Sequence, residues 1–304
     1  MKRLTQSAYE KAVGYLKRVA RPLELARYAY HFEDGSTAEV LAALEAFQND
    51  DGGFGHGLEA DVRLADSSVI ATTLAFQIFR ELGTPGDHAL VSNACRYLLN
   101  TYDASHLNWP IIPQNVDDAP HAPWWTTSGD LYKSMVNPRV EIAGYLNSYP
   151  EHFPAAMREQ MTESVIEYLF EQPVKMEMHD LLCYIRLWET KSLAQDIRSK
   201  MLDKLKAGVE SLVQRDPASW HSYGLQPLWV ASTPESPFAD DMREAIEQNL
   251  DFVIDSQDEN GGWMPNWSWG EQWPEAWAQA EREWSGNMTL GKLQTLHAFG
   301  RIDV

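Results

Sequence analysis

The sequence predicts an all-α fold, a single-domain (α/α)6 toroid or barrel of six helical hairpins over residues 1–304. Three observations carry that expectation. Apolar residues recur at three and four along the chain with almost no alternating strand pattern. Helical stretches alternate between those with one apolar stripe and those that are apolar nearly all round. One phrase also occurs twice: Ala46-Phe47-Gln48-Asn49-Asp50-Asp51-Gly52-Gly53-Phe54 returns as Asp255-Ser256-Gln257-Asp258-Glu259-Asn260-Gly261-Gly262-Trp263. A repeated phrase within one chain points to a repeat architecture.

The periodicity predicts helices near residues 5–20, 22–31, 36–48, 67–82, 87–101, 138–149, 154–171, 178–189, 193–214, 221–230, 238–256 and 286–300. The run 67–82 begins Ser67-Ser68-Val69-Ile70-Ala71-Thr72-Thr73-Leu74-Ala75-Phe76, small or apolar on every side as a buried helix is. Asn137-Pro138-Arg139 reads as a helix start, since proline suits the first turn. The run 154–171 carries one stripe of Met157, Met161, Val165, Tyr168 and Leu169, and 193–214 carries Ile197, Met201, Leu205, Val209 and Leu212. Both therefore read as helices with one wet face. His179-Asp180 opens the helix between them. Asp240-Asp241 opens the outer helix 238–256, where acids favour the helix dipole. The final helix, with Met288, Leu290, Leu293, Leu296 and Phe299, reads as buried again.

Outer and inner helices thus alternate six times. Links from an inner helix to the next outer one are short, whereas 49–66, 102–137 and 257–285 are long outer-to-inner links. In antiparallel hairpins arranged in a ring, those long links all lie at one mouth of the barrel. Long loops in a compact domain are commonly functional.

A net charge of −19 and a pI near 4.8 argue against nucleic acid and an anionic membrane surface as partners. Two cysteines, Cys95 and Cys183, sit inside apolar helical runs and read as buried thiols. Residues 1–21 are basic but amphipathic, without the apolar centre of a signal peptide. No apolar run is long enough to span a bilayer, so a cytoplasmic protein without a transmembrane segment is expected. The oligomeric state is not encoded in any legible motif.

The mouth is where composition is most biased. Ten of the twelve tryptophans fall in the outer-to-inner links. Those links also carry 17 acidic residues against 5 basic ones. Aromatic faces stack on sugar rings or stabilise a cation, and buried carboxylates serve as general acids or bases. The segment Gly55–Asp66 leads from the first repeated turn to a buried helix and is the leading candidate site. Glu59 and Asp61 are its candidate acid/base pair, with Asp66 a third catalytic candidate and His56 and Arg63 tuning or binding. The alternative is plainer: Asp66 or Ser67 caps the helix and Glu59 pairs with Arg63. Trp124, Trp125, Trp267 and Trp269 belong to no helical stripe and are candidate cavity-lining rings. Trp273, Trp277 and Trp284 fall on one stripe of a short helix begun by Pro274, so packing explains them. Asp130, Arg139, His221 and Tyr223 complete the binding candidates. The histidines near the mouth match no metal-ligand spacing, so no metal ligand is assigned.

A helix ending in glutamine, then an acidic turn and Gly-Gly-Phe or Gly-Gly-Trp, resembles the QW-type repeat of squalene and terpenoid cyclases and of protein prenyltransferase β subunits. The similarity covers 36–82 and 238–300, and is architectural between them. The resemblance implies the α/α toroid and a terpenoid-cyclase-like or prenyltransferase-like enzyme. Such an enzyme would use Glu59 or Asp61 as an acid and the tryptophans to hold an isoprenoid cation. The chain is a divergent case: it lacks the Asp-x-Asp-Asp proton donor of class II cyclases. It has Asp66-Ser67-Ser68 where prenyltransferases place a zinc-binding Asp-x-Cys. The acidic pattern of class I terpene enzymes appears only as Asp240-Asp241-Met242-Arg243-Glu244. Mg²⁺ enters only if the substrate is a diphosphate. Two other readings stand beside this one: a glycosidase or lyase on an (α/α)6 barrel using paired carboxylates, and a non-catalytic module. Each takes a small-molecule ligand in the barrel mouth.

Overall fold

The computed structural model describes the chain except Ser128, Asp130, Lys133 and Val304. The described residues form twelve α-helices, with isolated bridges and no strand. In order these are α1 (Gln6–Val19), α2 (Pro22–Phe32), α3 (Thr37–Glu45), α4 (Val69–Leu82), α5 (Ala89–Thr101), α6 (Arg139–Ser148), α7 (Ala155–Glu171), α8 (Met178–Trp188), α9 (Gln195–Leu212), α10 (Pro227–Val230), α11 (Arg243–Asp255) and α12 (Pro274–Ala298). Among the described residues no helix is long and apolar enough to cross a membrane.

Helix number and order follow the periodicity, and α10 and α12 depart most from the expected bounds. α10 is one turn, not the ten residues of 221–230. Pro227 fixes its first position, and the segment before it is spent on tertiary bonds. Gln214 N donates to Leu225 O at 2.9 Å, and Gln226 Nε2 to Trp220 O at 3.0 Å. α12 is the opposite case. The short helix expected at Pro274 and the helix expected from 286 are one continuous helix of 25 residues. Trp277 and Trp284 therefore lie on a helix and not in a link.

Two compact units make up the chain, a central one of Leu44–Leu212 and a terminal one of Met1–Ala43 with Val213–Val304. In the central unit α4, α6 and α8 pack side by side, and each also packs on the helix that follows it. The alternation read from sequence is visible here as two layers. Arg139 through Leu146 of α6 are all buried, whereas α7 buries only Met161, Val165 and Leu169. In the terminal unit α12 packs on α1 and α2, and α10 on α11. Both chain ends meet there: Leu4 N donates to Arg301 O at 2.7 Å and Asp303 N to Leu4 O at 2.9 Å. Arg301 is buried, with Nη1 on Glu247 at 2.8 Å and a second bond to Asp251.

The duplicated phrase is the same device in each unit. After Gln48, Asn49 N donates to Gly53 O and Gly52 N to Asn49 O, both at 2.9 Å. After Gln257, Asp258 N donates to Gly262 O at 2.9 Å and Gly261 N to Asp258 O at 2.8 Å. The glutamine side chain bridges its turn to another helix. Gln48 Nε2 donates to Gly52 O and to Leu90 O of α5, at 3.0 and 2.9 Å. Gln257 Nε2 donates to Gly261 O and to Ala8 O of α1, at 2.8 and 3.0 Å. A threonine receives the aromatic residue that closes the turn. Phe54 N donates to Thr72 Oγ1 of α4 at 3.0 Å, and Trp263 N to Thr289 Oγ1 of α12 at 3.1 Å.

The glycines are required by contact as well as by conformation. Gly52 and Gly261 have φ of 94° and 100°, and a Cβ would lie 2.3 Å from Asn93 O in one and 2.4 Å from Lys11 O in the other. The second glycine of each pair lies on a tyrosine ring, Tyr97 under Gly53 and Tyr15 under Gly262. The docking helices keep one register: Leu90, Asn93 and Tyr97 in α5 answer to Ala8, Lys11 and Tyr15 in α1. The N-terminal helix thus serves the second turn as α5 serves the first.

The seat of each turn sets the following expectations. Gly261→Ala lowers unfolding free energy by about 2 kcal/mol or more, since strain and backbone collision add. Gly300→Ala has φ of 62° but open space for a Cβ, and costs about 1 kcal/mol. Gln48→Ala and Gln257→Ala each cost about 1–3 kcal/mol through a bridged carbonyl left unpaired. Urea denaturation at constant m-value measures all four.

Candidate functional site

The acidic segment after the first turn is held as an irregular loop paired with a second loop of the central unit. His56 N donates to Ala65 O at 3.3 Å and Leu58 N to Gly55 O at 2.9 Å, closing the loop on itself. Arg63 N donates to Pro120 O at 2.9 Å and Ala122 N to Asp61 O at 2.8 Å, pinning residues 61–63 to 120–122. Between the loops lies a small core of Val62, Ile111, Ile112 and Val116, with Leu64, Ile70 and Trp125 against it. This apolar joint explains why so acidic a segment is ordered.

It also places the predicted site residues. Glu59 and Asp61 are buried, 7% and 3% exposed, and Glu59 Oε1 accepts from Asp61 N at 3.4 Å. Arg63 lies over Gly57, where a Cβ would be 2.9 Å from its guanidinium carbon, and its Nη1 donates to Ala60 O at 3.3 Å. His56 is exposed with φ of 53°, its Nε2 2.7 Å from Asn49 Oδ1. Asp66 accepts from Asn115 Nδ2 at 2.8 Å. The cap of α4 is neither Asp66 nor Ser67: Ser68 Oγ accepts from Ala71 N at 3.1 Å. Gln48, Asn49, Asp50, Asp51, Asp66 and Ser67 line an open depression above the turn.

The other candidates are dispersed. Trp124 is exposed, and Trp125 packs on the loop core, its Nε1 buried without a partner among the described residues. Arg139 is 1% exposed, and its guanidinium donates to Leu107 O, Met135 O and Ser164 Oγ at 2.7, 3.2 and 2.6 Å, which commits it to joining α6, α7 and the long loop. Asp130 lies outside the described residues. In the terminal unit His221 packs edge-on to Phe252 at 5.0 Å, and Trp269 is buried against Trp277 at 5.7 Å.

Tyr223 and Trp267 are brought together. Trp229, Tyr223, Trp267 and Trp284 form a chain of edge-to-face contacts, with centroids 5.9, 5.7 and 5.4 Å apart and interplanar angles of 77°, 74° and 78°. None of the four is fully buried. Four large rings at the preferred edge-to-face geometry, each with surface left open, make a wall in the terminal unit. Sequence reading assigned Trp284 to packing and did not single out Trp229.

No family model matches this chain, and comparison with curated proteins and with solved structures gives no match.

A second group lies on α4, α6 and α8 of the central unit; the sequence marks Cys183 as a buried thiol and His179-Asp180 as a helix start, but not Glu141, Arg80 or Arg186. Glu141, 2% exposed, accepts from Gln77 Nε2 at 2.8 Å, Tyr145 OH at 2.6 Å and Arg186 Nη1 at 2.8 Å. Arg80 lies 5.0 Å over the Tyr145 ring, and its Nη1 donates to Arg186 O at 2.7 Å. Burial, reinforced by Glu141, drives the Cys183 thiol well above its ordinary pKa, so it is inert as a nucleophile. Asp180, in the first turn of α8, is half-buried. Burial first, and the neighbouring Glu177 carboxylate second, raise its pKa to about 6. A carboxyl in that range holds a proton close to neutral pH. The available signal was charge inside an otherwise apolar run, as in Val140-Glu141-Ile142-Ala143. Among the described residues no three His, Cys, Asp or Glu side chains gather as a metal site.

Asp180 gives a pH expectation with a definite sign. Its folded pKa of about 6 lies above the ordinary 3.8, so the folded state binds the proton more tightly and loses stability as pH rises between those values. Asp180→Asn removes that loss. The variant should gain stability over the parent progressively from pH 4 to 6 and hold a constant advantage above pH 7. That advantage is about 1–2 kcal/mol after discounting for partial exposure. Denaturation at a series of pH values reads it directly.

Proposed function

We propose that this protein is an α/α-toroid protein of the terpenoid-cyclase and prenyltransferase kind that binds a small hydrophobic ligand and acts on it by acid-initiated chemistry. The observation that carries the ligand reading is the wall of Trp229, Tyr223, Trp267 and Trp284. Rings held edge-to-face keep their places without a ligand. Their open surface suits an apolar body or a developing cation, through contact area and ring quadrupole. The toroid reading is supported by the shared register of α1 and α5 on the two turns, since a first helix that fills the next hairpin's place is what a closed ring needs. Within the central unit, taken by itself, Asp180 is the carboxyl whose surroundings suit proton transfer near neutral pH. Glu59 and Asp61 are the alternatives, buried on the acidic loop.

Titration of tryptophan fluorescence with farnesol, an uncharged isoprenoid, tests the ligand reading, with cellobiose in parallel. Farnesol should quench saturably and cellobiose should not. Trp267→Ala should weaken farnesol about 5- to 30-fold, the loss of roughly 1–2 kcal/mol of ring contact. Cellobiose binding on the same tryptophans, or an unchanged farnesol affinity in Trp267→Ala, would overturn it.

A further inference from the structure

Lys292 is the odd residue of α12. The face of α12 that meets α1 and α2 is buried, through Ala280, Glu283, Gly286, Thr289, Leu290, Leu293 and Leu296. The opposite face is half-exposed along its length: Trp277, Glu281, Trp284, Met288, Gly291, Lys292 and Thr295. Trp284, Met288 and Lys292 succeed one another at i+4, so their side chains lie one above another on one face. A Cβ added at Gly291 would meet nothing within 4 Å, so open space lies against this stretch of helix.

In a chain with 44 acidic and 25 basic residues, a lysine ordinarily finds a carboxylate. Among the described residues Lys292 has neither a hydrogen bond nor an ion pair. Burial alone pulls its pKa from 10.5 to about 8, with no neighbouring charge contributing. A cation partly stripped of water and given no counterion is costly to keep. An anion arriving from outside would relieve that cost.

We propose that this face of α12 binds a small amphiphilic monoanion, a ring-bearing or apolar body with one carboxylate- or sulfonate-type head. The body lies against Trp284 and Trp267 and the head on the Lys292 ammonium. The inference rests on the aromatic wall as a ligand surface and adds the charge of the ligand to it. Two helical turns separate Trp284 from Lys292, roughly 12 Å along the axis, which is the length of a two-ring body with its head group. A single ammonium matches a single negative charge.

Two probes with the same ring body separate the claims: N-phenyl-1-naphthylamine, which is uncharged, and 8-anilino-1-naphthalenesulfonate, which carries one sulfonate. Both are titrated by fluorescence against the full-length protein at pH 7. The sulfonate probe should bind at least tenfold more tightly than the neutral one. Lys292→Met should abolish that difference and leave neutral-probe affinity unchanged, Lys292→Arg should keep it, and Trp284→Ala should weaken both probes. If the neutral probe binds and Lys292→Met leaves the ratio of affinities as in the parent, the assignment of the anion to Lys292 is overturned while the wall stands. If the parent does not bind the neutral probe, the wall itself is not a ligand surface and the inference fails with it.

Discussion

The structure depends on how a Gly-Gly turn is seated. In each unit the turn needs an aromatic residue closed against one helix and a glycine pair pressed on another. It also needs a glutamine amide bonding its own turn and the second helix together. Backbone approaches a neighbour so closely at Gly52 and Gly261 that no side chain fits. One such seat fixes the mutual placement of a turn and two helices. The second seat is assembled from both ends of the chain, because α1 supplies Ala8, Lys11 and Tyr15 while α12 supplies Thr289. The meeting of Leu4 with Arg301 and Asp303 secures that arrangement.

The same seat explains where the two units diverge. Thr72 follows Ser68 by four residues in α4, and Thr289 follows Ser285 by four in α12. Ser68 caps its helix, and the stretch from the turn up to it is loop. Ser285 instead lies within a helix that begins eleven residues earlier at Pro274, and its hydroxyl bonds Tyr15 OH at 2.7 Å. One scaffold thus carries an acidic loop in the central unit and a helical extension bearing Trp277 and Trp284 in the terminal one. The two units differ in what lies between a repeated pair of contacts, the turn and the threonine.

Much of the helix order was legible because burial imposes a period, and the periods in 154–171 and 193–214 survive in α7 and α9. The repeated turn was legible because glycine is there of necessity. α10 and α12 differ from the periodicity for separate reasons: Pro227 sets a late start for α10, and the short helix begun by Pro274 runs on without a break into the last helix. The site was less legible. Arg139 and Trp269 read as binding residues by type, and tertiary contacts occupy them. Glu141 and Lys292 were passed over because each sits in an apolar run, where a charge looks like an exception to the pattern. Only the three-dimensional neighbours distinguish them: Glu141 accepts from Gln77, Tyr145, Arg186 and the Cys183 thiol, whereas Lys292 finds no acceptor among the described residues.

Native-state amide hydrogen exchange in Tyr15→Ala and Tyr97→Ala tests the seating of the turns most directly. Each tyrosine underlies one glycine pair. Tyr15→Ala should expose the amides of Gly261 and Trp263 and leave those of Gly52 and Phe54 protected, and Tyr97→Ala should do the reverse. Equal loss at both turns in either variant, or unchanged protection at the turn whose tyrosine was removed, would contradict the account.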